Sequence, residues 1–149
     1  MSGSPWVVIS CGAAKLDHPA PAGQLYIGGL FKDALAWARS VTSGDRVLIL
    51  SARHGLIKLS RPTEPYNLRM GDPGSVRPER IAEQLEMHGI REAYAVCGQD
   101  YRATLSKAAA IASVQVTYPF LYLPNGSLGY LRRALRRNRG RIPTESSHA

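Results

Sequence analysis

The chain is short of cysteine, of acidic residues and of long apolar runs. Its 2 cysteines, Cys11 and Cys97, stand far apart without CxxC spacing, which excludes a disulfide framework or a cysteine-based structural zinc site. No apolar run reaches the ~20 residues that a membrane-spanning helix needs, and MSGSPWVVIS lacks the basic-then-apolar order of a secretory leader. A cytoplasmic protein with no membrane partner is expected. The glycines form neither a P-loop nor a dinucleotide fingerprint, so ATP and NAD are not implied and no cofactor is expected. Cys11, His18 and His54 are metal-ligand types without a standard spacing, and no metal is expected.

Against 11 acidic residues stand 19 lysines and arginines, a formal charge of +8 over 149 residues. A basic chain favours polyanions, because neutralising phosphates releases their counterions. Arg132, Arg133, Arg136, Arg137, Arg139 and Arg141 lie together near the carboxyl end with no acid among them. Two readings stay open: a solvated helix face with a frayed tail, or a surface for nucleic-acid phosphates.

Short β-branched runs alternate with helical periodicity. Trp6–Ser10 reads as a buried strand breaking at Cys11 and Gly12; Leu30, Ala34, Trp37 and Val41 then recur at helical spacing. Arg46–Ser51 is a second strand. Residues 52–77 hold six glycines and prolines and read as a long irregular connection, which is usually functional. Pro78 opens a helix through Ile81 and Leu85 that stops at Gly89. Glu92–Cys97 is a third strand, Asp100 a candidate N-cap for the helix of Tyr101 and Leu105, and Val114–Thr117 a fourth strand. Ser127 is placed to cap a last helix that turns Leu128, Leu131 and Leu135 inward and its arginines outward.

This order predicts one α/β domain over residues 1–143 with a tail at 144–149. The architecture is a three-layer sandwich around a short, mainly parallel four-stranded sheet in the order 2-1-3-4. In such sheets ligands bind beyond the carboxyl ends of the strands, where the strand order reverses. The polar residues after the first three strands should therefore share one crevice.

Three strand-end motifs mark it: Ser10-Cys11-Gly12-Ala13-Ala14-Lys15-Leu16-Asp17, Leu50-Ser51-Ala52-Arg53-His54-Gly55-Leu56, and Cys97-Gly98-Gln99-Asp100-Tyr101. Glu64-Pro65-Tyr66-Asn67-Leu68-Arg69-Met70-Gly71 lies between the last two. With its S-C-x-x-x-K-L-D loop, LSA-x-HGL turn and following EPY-N-L segment, the chain resembles the YaaA-like family, in particular a branch of small uncharacterised domains. That resemblance implies a cytoplasmic peroxide-stress or DNA-binding role. The cysteine loop is also similar to one in archaeosine-forming tRNA-modifying enzymes, although Lys15-Leu16-Asp17-His18 stands where those enzymes continue with KPY.

Cys11 reads either as a small buried hydrophobe or as a reactive thiol near Lys15, and Cys97 is placed to come close to it. His54 is either a proton acceptor or a hydrogen-bonding prop for the long connection. Asp17 can assist proton transfer or merely shape a turn, as can Asp100. Lys15 and Arg53 suit a phosphate or carboxylate, or a surface ion pair. Tyr66 and Asn67 suit a nucleobase through stacking and edge hydrogen bonds, the alternative for Tyr66 being an anchor on the core. Ser10, Gly12, Ser51, Gly98 and Tyr101 complete the expected substrate-binding set.

The expected function is an enzyme acting on a nucleobase, nucleotide or nucleic acid, DNA before RNA, by base cleavage, exchange or modification. Arg132, Arg133, Arg136, Arg137 and Arg139 would hold the phosphates. The alternatives are a non-catalytic DNA-binding stress protein and a small-metabolite enzyme.

Overall fold

The computed structural model describes residues 4–121 and 128–144. Its strands are β1 (Trp6–Ser10), β2 (Ala20–Pro21), β3 (Val47–Ser51), β4 (Gly55–Lys58), β5 (Pro62–Thr63), β6 (Glu92–Val96) and β7 (Gln115–Thr117). The helices are α1 (Ala22–Leu25), α2 (Gly29–Val41), α3 (Pro78–Met87), α4 (Gln99–Ala112) and α5 (Leu128–Arg137).

Five strands form the main sheet in the order β4-β3-β1-β6-β7, while β2 and β5 make a separate two-stranded ribbon. The pairs β1–β3, β1–β6 and β6–β7 are parallel, with Ile9 opposite Ile49 and Val96. The four parallel strands thus follow the expected order. The count of four is corrected by β4, an antiparallel edge strand that sets Ile57 against Ile49. It lies in the stretch read as irregular, where flanking glycines and prolines mask a run of only four residues. The fourth helix also begins earlier than expected: Gly98 occupies the cap position, and Asp100 sits inside the first turn.

Successive side chains of a strand point to opposite faces, so each apolar strand feeds two cores. Val7, Ile9, Val47 and Ile49 pack with Phe31, Trp37 and Leu135 from α2 and α5. Val8, Leu48, Leu50 and Ala95 pack with Ile81, Leu85 and Leu105 from α3 and α4. The result is a mixed α/β fold with helices on both sheet faces. Each large aliphatic side chain buried this way contributes roughly 1.5–3 kcal/mol.

α5 is fastened to α2 as well as packed on it. Asp33 of α2 accepts from Arg132 Nε at 2.7 Å and from Arg136 Nη2 at 3.1 Å. Beyond the helix, the Trp37 indole donates to the Arg141 carbonyl and the Gly140 amide donates to Ser40 Oγ. Ser127, the inward side chain of Leu128 and the expected tail, Thr144 apart, lie outside the described residues. No described helix is long and apolar enough to cross a membrane.

Candidate functional site

The sheet reverses its strand order beside β1, which is flanked by β3 on one side and β6 on the other. Helices α2 and α4 start close to that point. A cleft of about 340 Å³ opens there, lined by Ser10, Cys11, Gly12, Gly28, Gly29, Phe31, Val96, Cys97, Gly98 and Leu131 among others. Glycine at four of these positions brings bare backbone to the floor, while Leu30, Phe31 and Leu131 make the walls apolar. Such a volume lies within the roughly 300–1,000 Å³ typical of small-molecule sites.

Cys11 is 8% exposed on the wall of this cleft, and its sulfur lies 3.3 Å from the Tyr101 hydroxyl. The Tyr66 hydroxyl stands close enough for the sulfur to raise its pKa. Behind the sulfur, Tyr66 Oη is 2.7 Å from Tyr26 Oη and 2.7 Å from Ser51 Oγ. Proton counting orients part of this chain. Ser51 Oγ accepts the amides of Arg53 and His54 at 3.2 and 3.1 Å, filling both lone pairs, so its own proton goes to Tyr66. Tyr66 therefore keeps its proton for Tyr26.

Burial, and next to it the neighbouring Cys11, push the Tyr66 and Tyr101 hydroxyls well above their ordinary range. Burial likewise pushes Tyr26 up to about 12. All three are neutral O–H groups at physiological pH, able to donate to negative charge that forms near the sulfur.

His54 approaches Tyr66 from the other side, ring edge to ring face at a centroid distance of 5.8 Å. Burial first, then the charges of Arg61 and Arg53, lower its pKa below 6.5, so the imidazole is neutral at pH 7. Lys15 places its ammonium 4.5 Å from the Tyr66 ring centroid and donates to the Ala13 carbonyl. The loops bearing Cys11 and His54 thus meet, but Tyr66 fills the space between them. Cys11 faces the 340 Å³ cleft, and His54 lines a different groove.

The remaining expected residues divide accordingly. Ser10, Gly12 and Gly98 line the cleft with Cys11, and Tyr101 braces the sulfur. Ser51 is fully buried and shapes the turn after β3, while Tyr66 packs against the core and shares a hydrogen bond with Ser51. Asn67 is exposed. Asp17 stands fully in solvent with its carboxylate on His18 at 3.0 Å, and the structure does not bring it to the thiol. Cys97 lines the same cleft as Cys11; both are free thiols, and burial raises Cys97 to about 12. Of the arginines on the last helix, Arg132 and Arg136 are held by Asp33, and Arg133 packs over the Tyr130 ring at 5.5 Å. Arg137 and Arg139 remain exposed.

Two residues escaped the sequence reading. Tyr26 sits in an ordinary apolar stretch, and only the fold joins it to Tyr66. Gln84 looks like one more polar position of α3, yet its amide is buried and clasps the β3–β4 turn. Nε2 donates to the His54 carbonyl at 3.0 Å, and Oε1 accepts the Leu56 amide at 2.7 Å. Gly55 between them has φ +73°, and a β-carbon there would collide with the Gln84 side chain. The Gly-Gly pair at 28–29, directly before an amphipathic helix, was the available signal for the cleft floor.

No curated protein and no solved structure matches the chain. The sequence does match one family model, over residues 7–132, and the chain belongs to that family, DUF6884, a family of unknown function.

Proposed function

We propose that the chain is an enzyme acting on a nucleobase, nucleotide or nucleic acid, admitting a planar ring to the cleft at the ends of β1 and β6 with Cys11 as the reactive group. The observation that carries this reading is the Cys11 sulfur on the wall of an apolar, glycine-floored cleft, backed by neutral tyrosine hydroxyls. Apolar walls suit the faces of a ring, and the side-chain-free backbone of Gly12 and Gly98 suits its polar edge.

In the simplest sequence consistent with these groups, the sulfur attacks an electrophilic carbon of the ring or of its sugar and forms a C–S bond. The electron pair of the broken bond stays on the departing atom, which takes the proton of Tyr101 while the thiol proton passes to the Tyr101 oxygen. Water then adds its oxygen to the same carbon and breaks the C–S bond, and one of its protons returns to the sulfur to restore the thiol. Neutral His54 is available as a proton acceptor on the far side of Tyr66. Lys15 offers charge to an anionic substituent.

The test is incubation with a panel of nucleosides, nucleotides and short oligonucleotides, followed by chromatography and mass spectrometry of released or altered bases. The wild type is expected to form a product, and Cys11→Ala to form it at least ~100-fold more slowly. No product from any member of the panel, or equal rates in the two proteins, would contradict the proposal.

A further inference from the structure

A second groove, about 640 Å³, opens beside the hairpin at the sheet edge and shares no lining residue with the Cys11 cleft. Its walls carry four permanent cations, Arg53, Lys58, Arg61 and Arg80, together with His54 and His88, and no carboxylate. Arg80 lies 3.8 Å from Glu83; Arg53, Lys58 and Arg61 have no ion-pair partner among the described residues. Uncompensated positive charge in a concave surface focuses a field that attracts polyanions. Both histidines register it. Burial is the first cause of their lowered pKa, and the second is Arg61 with Arg53 for His54 and Lys58 for His88.

The cations stand on fixed backbone. Lys58 belongs to the β3–β4 ladder, where it pairs with Leu48. The Arg61 carbonyl accepts the Ala22 amide at 2.8 Å, and the Gln84 amide holds the turn that follows Arg53. On α5 the single carboxylate of Asp33 holds Arg132 and Arg136 against α2 and offsets one of their two charges. Tyr66 links groove and cleft, its ring meeting His54 on one side and its hydroxyl meeting Cys11 on the other. The end of the groove at His54 therefore lies against the Tyr66 ring. A positively charged groove that tracks a flexible backbone is how proteins hold a single strand.

We propose that this groove, rather than the last helix, holds the phosphodiester backbone of a single-stranded nucleic acid. The assignment extends the proposed function by naming a polymeric substrate, and it does not require Cys11 to be reactive.

The test is fluorescence anisotropy of a labelled single-stranded DNA of mixed sequence, about 20 nucleotides long, titrated with protein over a range of KCl concentrations. Each phosphate contact to a single strand contributes roughly 0.7 to the slope of log K against log salt. Arg53→Gln/Lys58→Gln/Arg61→Gln is expected to lower the slope magnitude by about 2, and each single substitution by about 0.7. Arg133→Gln/Arg137→Gln/Arg139→Gln should leave it nearly unchanged. The single substitutions preserve the test if the triple variant fails to fold. Cys11→Ala should bind like the wild type, so loss of turnover and loss of binding are read separately. A wild-type slope in the groove variants would overturn the proposal, as would a slope drop confined to the α5 variant. Displacement of a labelled nucleoside monophosphate by inorganic tripolyphosphate, without any binding of the oligonucleotide, would replace it with a site for small phosphates.

Discussion

The Cys11 sulfur and the Tyr101 hydroxyl lie 3.3 Å apart although 90 positions separate them in the chain. The contact ties the end of β1 to the first turns of α4, so the thiol is positioned only once β6 and α4 have docked. Tyr101→Phe keeps the ring and deletes the hydroxyl. It is expected to cost about 1 kcal/mol of stability, read by urea denaturation, and to lower kcat about 10-fold with little change in KM.

The turn after β3 depends on Gly55 and Gln84 fitting together. Gly55→Ala forces a left-handed backbone on a residue with a β-carbon and displaces the Gln84 amide from its two backbone partners. A loss of about 2–4 kcal/mol is expected, seen as a lower denaturant midpoint. Gln84→Leu, which leaves the Leu56 amide and His54 carbonyl without that partner, should fall in the same range; a neutral result for both would remove the clasp from the account.

The two depressed histidines predict acid sensitivity. His54 and His88 titrate below 6.5 in the folded protein, so as pH falls through 6.5 the unfolded chain binds protons that the native state does not. Their contribution to stability is complete above that pH and declines below it until the folded values are reached. Urea midpoints between about pH 7 and pH 5 should drop, and His54→Gln/His88→Gln should flatten the drop.

Free thiols are expected to be slow but present. Burial pushes the Cys97 thiol up to about 12 and Cys11 is 8% exposed, so a disulfide reagent at neutral pH should react sluggishly with the native protein and rapidly with both cysteines in denaturant. Fewer than two reactive thiols after unfolding, without prior oxidant, would show that the pair closes spontaneously.

The main layers were legible because buried parallel strands leave continuous apolar runs and the helices between them carry periodic stripes. Trp6–Ser10 and Glu92–Val96 are cases where run and strand nearly coincide. β4 was hidden because Gly55-Leu56-Ile57-Lys58 is too short to show alternation beside so many turn residues. Strand-end position made it readable that Cys11, Gly12 and Gly98 would share one cleft. Tyr26 and Gln84 were not readable, since their roles come from partners 40 and 28–30 positions away that local patterns do not encode. Charge counting found the arginines of α5 but not Asp33, whose single carboxylate turns two of them toward structure.

Central to the proposed activity is that Cys11 faces a cleft that receives a planar ring. The direct measurement is the rate of iodoacetamide alkylation at Cys11, followed by peptide mass spectrometry with and without saturating nucleobases, nucleosides and nucleotides. At least one of these ligands is expected to slow Cys11 alkylation about 10-fold or more, in proportion to its occupancy of the cleft. Alkylation at an unchanged rate in the presence of every ligand would contradict the claim.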